Sequence, residues 1–331
     1  MRERMRIVFC GTPEFAVPTL KHLLAQSDFE IAGVITQPDR PRGRGLRVTA
    51  SPVKETALAA GIPVHQPEKI RSPEWEELLR RLSPDCIVII AYGQIIPARL
   101  LTIPKFGWIN LHASLLPKYR GAAPIQWAIA NGETQTGLTT MRIDAGMDTG
   151  DILLQRPVSI ASDDTTPSLA TRLAEAGAPL MAETLRSVGA DTLLAKPQDH
   201  AQATYAPLLK KEDGKIDWMR PAHEIYNRMR AFTPWPGAFT TLRGNIYHLA
   251  AELVANQIST APSLAPGTLR IVKDFLASPG TSGKLGALLV SCGGATELRV
   301  ASVKREGGKS SDALEFAYGA QLTEGERFGE C

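Results

Sequence analysis

The chain predicts a doubly wound α/β domain on a mainly parallel sheet, followed by a smaller all-β domain. Strand-like apolar runs alternate with helical segments through residues 1–189, the pattern of a parallel sheet covered by helices. The run DCIVIIA at 85–91 is continuously apolar, as expected of a strand buried on both faces. Beyond residue 208 the texture changes to short strand-like runs broken by Gly, Pro and Ser, which suits a small barrel or sandwich. A length of 331 residues is about right for two domains of roughly 100–200 residues each.

The first strand is RIVFC at 6–10, stopped by GTP at 11–13. Phe15, Leu20, Leu23 and Leu24 then recur at helical spacing. EIAGVIT at 30–36 reads as a second strand, and 52–60 as a helix with Pro52 in its first turn. The third and fourth strands are 85–91 and GWINLH at 107–112. Two further strands are expected at 136–143 and 151–160, then a long helix at 165–188. Residues 190–207 have little periodicity and two prolines, and are expected to link the domains. A helix at 221–232 follows, then strands at 238–243, 246–255, 267–272, 286–291 and 296–302. Residues 303–312 predict no element.

Composition narrows the function. With 44% hydrophobic and 21% charged residues, each half can build a core. A net charge of +3 permits an anionic partner without requiring one, so any nucleic-acid argument rests on local charge. Cys10, Cys86, Cys292 and Cys331 are too scattered for a disulfide framework or a zinc site. They suit a reducing, cytoplasmic compartment. No apolar run approaches the roughly 20 residues of a membrane span, and the charged residues 1–6 are not followed by a secretory leader. No metal and no membrane are expected, and the chain is expected to act as a monomer.

The chemistry gathers at the end of the fourth strand. Strand side chains alternate, so Asn110 and His112 point one way and Leu111 the other. In an open α/β sheet, ligands bind at such carboxyl ends. A proline-braced loop, ASLLPKYRGAAP at 113–124, leads away. A second polar loop follows at 144–151, DAGMDTGD, whose glycines can turn a carboxylate inward. Asn110 can donate to a developing oxyanion. His112 can do the same when protonated and can move protons near neutral pH. Asp148 can hold the imidazole. No serine or cysteine sits on a nucleophile elbow, which favours direct attack by an external amine over a covalent intermediate. Each feature alone also reads as a capped strand or an ordinary turn; their combination is what raises a site. GTPEFA lacks the second and third glycines of a pyrophosphate loop, so a nicotinamide-linked oxidoreductase is excluded.

Residues 38–54 hold Arg40, Arg42, Arg44, Arg47 and Lys54 against the single acid Asp39, with Gly43 and Gly45 between them. A solvated surface loop would look the same. Guanidinium groups spaced by glycine also suit phosphates and exposed bases. Trp218 and Trp235 are expected to pack in the core or at the domain junction.

Residues 110–125 (NLHASLLPKYRGAAPI) and 144–153 (DAGMDTGDIL) resemble the folate-dependent formyltransferases. The resemblance implies Asn110, His112 and Asp148 as catalytic residues. It implies Ser114, Leu115, Leu116 and Pro117 as a folate-binding loop. FCGTPEFAVPTL (9–20), TQPDRPRGRG (36–45), SPVK (51–54), GAAPIQ (121–126), KKEDGKIDW (210–218) and RAFTPWPGAF (230–239) resemble the branch that acts on methionyl-tRNA. That branch implies transfer of the formyl group of 10-formyltetrahydrofolate to the α-amino group of methionyl-initiator tRNA, for translation initiation. It also implies a catalytic domain over 1–189, a linker over 190–207, and an OB-like tRNA-binding barrel over 208–331. Arg40, Arg42 and Arg44 are then expected to contact the tRNA, with Lys210 and Lys211 opening the second domain's RNA surface. A sugar-nucleotide formyltransferase, a formate-releasing hydrolase and a non-catalytic RNA-binding protein are the alternatives.

Overall fold

The computed structural model describes residues 4–42, 47–254, 264–275, 285–323 and 325–330. Arg44 and Cys331 lie outside these residues, as do the side chains of Arg42 and Arg47. The chain divides into two compact units. The first comprises Met1–Ile125, Gln135–Ile160 and Ser168–Pro207, and the second Gln126–Thr134, Ala161–Pro167 and Leu208–Cys331.

The first unit contains β1 (Met5–Gly11), α1 (Val17–Leu24), β2 (Phe29–Ile35), β3 (Arg40–Arg42), β4 (Arg47–Thr49), α2 (Pro52–Ala59), β5 (Val64–His65), α3 (Glu74–Leu82), β6 (Cys86–Ile90), α4 (Ala98–Leu101) and β7 (Trp108–His112). After α5 (Pro124–Ala130), most of which belongs to the second unit, come β8 (Gln135–Arg142), β9 (Ile152–Ser159) and α6 (Thr166–Gly189). The sheet order is β5-β2-β1-β6-β7-β8-β9. The strands from β5 to β7 run parallel. β8 and β9 complete the sheet in antiparallel fashion, joined by the loop that carries Asp148. Central strands are apolar because helices cover both faces: Ile7, Val8, Phe9, Ile87, Val88 and Ile90 have no exposed surface. Leu111 points toward α6, where a Cβ on Gly177 would come within 2.6 Å of its Cδ2. That close approach leaves Asn110 and His112 to the opposite face, as strand alternation requires.

The ribbon β3–β4 was not expected. It pairs Arg40 with Thr49 and Arg42 with Arg47 inside the basic segment. α3, α4, α5 and β5 were also absent from the sequence reading.

The second unit contains α7 (Ala222–Ala231), β10 (Phe239–Leu242), β11 (Asn245–Leu253), β12 (Leu269–Phe275), β13 (Leu285–Cys292), β14 (Thr296–Arg305), β15 (Ser310–Asp312) and α8 (Ala313–Gly319). Its sheet runs β10-β11-β14-β13-β12, antiparallel throughout, with β15 beside β14. Among the described residues, β10 and β12 do not pair with each other. Residues 310–319, read as featureless or unassigned from sequence, form β15 and α8. Asp312 caps α8 by accepting from the N–H groups of Leu314 (2.8 Å) and Glu315 (3.3 Å).

Trp218 is core, as expected: it stacks on Phe328 at 5.8 Å and donates from Nε1 to Thr240 Oγ1 at 3.0 Å. Trp235 is not. It sits between Pro234 and Pro236 in the turn after α7 and is 55% exposed. The buried Arg230 guanidinium donates to Ala161 O (3.1 Å), Asp164 O (2.8 Å) and Asn227 Oδ1 (2.9 Å). These bonds tie residues 161–167 to α7.

Candidate active site

β7 delivers Asn110 and His112 to the carboxyl end of the sheet. It is the strand at which the sheet changes from parallel to antiparallel: Asn110 lies beside Ile89 of β6 and Met141 of β8, and His112 beside Thr139. Asn110 is half-buried, and its amide enters no side-chain hydrogen bond among the described residues. A half-buried amide left without an internal partner is available to a guest. His112 is 6% exposed.

The loop 113–123 is shaped by satisfied polar groups. Ser114 Oγ donates to Lys118 O at 2.6 Å. Thr139 Oγ1 donates to Ser114 O (2.7 Å) and accepts from Leu116 N (3.1 Å). Gln155 Nε2 donates to Leu116 O at 2.9 Å. Residues 190–207, expected as a linker, supply a second brace. Thr204 Oγ1 accepts from Tyr119 N (2.9 Å), Thr204 O from Arg120 N (2.8 Å), and Ala206 O from Ala123 N (3.1 Å). Gly121 is needed here: its φ is +121°, and a Cβ would lie 2.7 Å from Ala206 O.

This loop turns two backbone groups onto the catalytic candidates. Tyr119 O lies 2.9 Å from His112 Nε2. A carbonyl only accepts, so Nε2 carries a proton and donates. Gly121 N donates to Asp148 Oδ2 at 2.9 Å. The same carboxylate oxygen lies 3.7 Å from His112 Nδ1. Only the imidazolium donates from both ring nitrogens. At 3.7 Å the Nδ1–Asp148 contact is longer than a hydrogen bond, which leaves the Nδ1 edge for a reacting group.

Asp148 reaches this position from a left-handed backbone, φ +54°. Asp tolerates that region better than most residues. The loop's other acids do different work. Asp144 accepts from Gly146 N (2.9 Å) and Thr149 Oγ1 (2.8 Å), an Asx turn that closes its own loop. Of the loop's three carboxylates, Asp148 is the one paired with His112.

Two buried side chains behind this arrangement escaped the sequence reading. Arg120 is 2% exposed and Gln198 6%, and they are hydrogen-bonded to each other and to the Asp148 loop. Arg120 lies inside a motif already singled out. Gln198 lies in the stretch expected to link the domains, 78 residues away, and nothing local marks it.

The folate-loop candidates differ among themselves. Ser114 has no exposed surface and Leu116 is 3% exposed. Leu115 and Pro117 remain half-exposed. The polar groups of Ser114 and Leu116 are engaged within the unit, so what this stretch presents outward is apolar surface. The loop after β6 adds Ile95, 92% exposed, and the Asp148 loop adds Met147, 64% exposed.

The basic ribbon is fastened at its base. Lys54 pairs with Asp39 and donates to Gln66 Oε1 at 2.7 Å, while Gln66 Nε2 donates to Asp39 Oδ1 at 2.8 Å. These hydrogen bonds, Lys54 first, hold the Asp39 carboxyl below its ordinary pKa. Lys54 is therefore spent inside the protein, whereas Arg40 is exposed. In the second unit Lys210 and Lys211 are exposed, with Lys211 Nζ 3.8 Å from Glu306 Oε1.

Among the described residues no group of His, Cys, Asp and Glu could hold a metal ion. Cys10, Cys86 and Cys292 are free and buried. Burial pushes the thiols of Cys86 and Cys292 up to about 12. None of the three offers a thiolate nucleophile.

The formyl transferase family model matches residues 5–185, and the model of the formyl transferase C-terminal domain matches residues 208–321. An N-formyltransferase from Helicobacter canadensis, solved with folinic acid and dTDP-3-aminofucose, shares the fold at a TM-score of 0.60 and 19% identity, over 90% of this chain and 98% of that one. The methionyl-tRNA formyltransferase of Acidobacterium capsulatum is 50% identical over 98% of this chain and 100% of its own. That of Solibacter usitatus is 49% identical over 98% and 99%. Identity near one half runs through both domains and along whole chains, and on that ground the chain belongs to the methionyl-tRNA formyltransferase family.

Proposed function

We infer that the chain transfers the formyl group of 10-formyltetrahydrofolate to the α-amino group of methionyl-initiator tRNA. The observation that carries the chemistry is one carboxylate oxygen of Asp148 shared between Gly121 N–H and the Nδ1 edge of His112, with the unengaged Asn110 amide on the same strand face. When bound, the folate supplies the formyl group and a departing nitrogen. The exposed Ile95 and Met147, with Leu115 and Pro117, suit the ring faces of the folate.

Asn110 donates its amide to the formyl oxygen, where negative charge develops as the amine attacks. His112 donates from Nδ1 to the same oxygen, because Tyr119 O already occupies Nε2. Asp148 lies beside the imidazole and orients it, and its second oxygen accepts the proton lost by the attacking amine, directly or through a water. No side-chain nucleophile is needed. Asp148 then returns that proton to the departing folate nitrogen as its bond to the formyl carbon breaks, which leaves the formyl group on the methionine amine.

We assign catalysis to residues 1–189, the connection to 190–207 and tRNA backbone binding to 208–331, whose antiparallel sheet we read as an OB-like barrel. Arg40, Arg42 and Arg44 of the basic segment meet phosphates or unpaired bases, and Lys210 and Lys211 extend the cationic surface. Free, buried cysteines fit a reducing cytoplasm, and the reading carries a monomer. No helix among the described residues is long and apolar enough to cross a membrane.

The test is formyl transfer from 10-formyltetrahydrofolate to methionine-charged initiator tRNA, with uncharged tRNA and UDP-amino-sugars as controls. Transfer to the charged tRNA alone is expected. Transfer to the sugars, or formate release with every acceptor absent, would replace this reading with the sugar or hydrolase one.

A further inference from the structure

Gln198 Nε2 donates to the carbonyl oxygens of Asp148 at 2.9 Å and Gly150 at 2.7 Å. Its Oε1 accepts from Arg120 Nε at 3.1 Å and Nη2 at 2.7 Å. Arg120 Nη2 also lies 3.2 Å from His200 Nδ1, which accepts there because a guanidinium only donates. Arg120 follows Tyr119, whose carbonyl engages His112, and precedes Gly121, whose N–H holds Asp148. Both side chains are buried, so neither is presented to a substrate.

We propose that Arg120 and Gln198 are positioning residues that set the separation of His112 and Asp148. The guanidinium fork has fixed geometry and cannot be deprotonated. It fixes which end of the Gln198 amide is oxygen, so the NH2 must face the two loop carbonyls. Those two bonds hold the turn in which Asp148 takes its left-handed backbone, φ +54°. Without them two carbonyls lose their donor, the turn relaxes toward right-handed backbone, and the carboxylate leaves Gly121 N–H and His112. The proposal rests on the reading of Asp148 as the partner of His112.

A double-mutant cycle in the full-length chain tests it, with Gln198→Met, Asp148→Asn and the double variant assayed for formylation of methionyl-tRNA. A small displacement of catalytic groups can cost about 100-fold, so Gln198→Met is expected to lower kcat by about that factor. KM for both substrates should stay within about twofold, since ground-state binding is untouched. In the Asp148→Asn background the same change should cost less than about threefold, because residues acting as a unit are not additive. Gln198→Glu keeps Arg120's acceptor but turns an oxygen toward the carbonyls. It should lose as much as Gln198→Met, and it carries the same cycle if the methionine variant does not fold. An equal factor in both backgrounds, or a rise in KM at unchanged kcat, overturns the positioning role and leaves the Asp148 assignment standing. Near-normal turnover of Asp148→Asn removes the catalytic reading itself, and the proposal with it.

Discussion

The loops around His112 and the β3–β4 ribbon solve opposite problems with the same residue types. Around His112 almost every polar group has an internal partner, and the strand-face amide of Asn110 is left over. Among the described residues the ribbon is tied at its root, by Asp39, Lys54 and Gln66. Its Arg40 faces outward. Catalysis needs donors held to a fraction of an ångström. A nucleic-acid backbone is bound through charge, and tolerates displacement. The contrast says that the first region should respond to single changes steeply and the second gradually.

The largest expected effect is that of Asn110→Ala. Loss of one oxyanion donor typically costs about 3–4 kcal/mol, so turnover should fall roughly 100- to 1000-fold. The melting temperature should be unchanged, because the Asn110 amide has no internal partner among the described residues. Turnover near normal would show that Asn110 is not an oxyanion donor.

Gly121→Ala should follow. Its φ of +121° and the 2.7 Å approach to Ala206 O strain any side chain, at a cost of order 1–3 kcal/mol in stability. Urea unfolding and turnover should fall together, since Gly121 N is also the donor that holds Asp148. A loss of stability with activity intact would show that the loop tolerates more movement than its hydrogen bonds suggest.

Replacing Arg40 or Arg42 by Ala should weaken tRNA binding without touching kcat. Each lost phosphate contact should flatten the plot of log K against log salt by roughly 0.7–0.9. Unchanged slopes would make the ribbon a solvated surface.

The smallest effect concerns pH. Lys54 and Gln66 hold the folded-state pKa of Asp39 below its unfolded value. The stability this contributes is present above the ordinary carboxylate range and is lost as pH falls through the depressed folded pKa. Wild type should therefore exceed Asp39→Asn by a constant margin near neutrality. The margin should shrink below the ordinary carboxylate value. A margin that grows on acidification would mean that Asp39 is not held as an anion.

Much of this was legible in the chain itself. Six strands of the first unit's sheet, β1, β2, β6, β7, β8 and β9, announce themselves in the sequence. Hydrophobic periodicity reflects the partition of side chains between core and water, which each segment encodes locally. Asn110, His112 and Asp148 were found as residue types suited to one reaction, sharpened by motif. α3 could have been found too, since EWEELLRRL at 74–82 carries acids in its first turn and arginines in its last, as a helix dipole favours. Asp312 and Glu315, at capping-box spacing, marked α8.

The chain alone determined most of the longer strands and helices and which side chains can do acyl-transfer chemistry, because hydrophobic periodicity and functional-group chemistry are properties of short stretches. The tertiary structure alone decided the antiparallel edge at β8 and β9, the seating of residues 198–206 against the loop after β7, and the burial of Arg120 and Gln198. It also decided which of three acids reaches His112 and left Trp235 exposed. Those outcomes depend on partners tens of residues away, and a hydrogen bond between residues 120 and 198 leaves no trace in the local pattern of either.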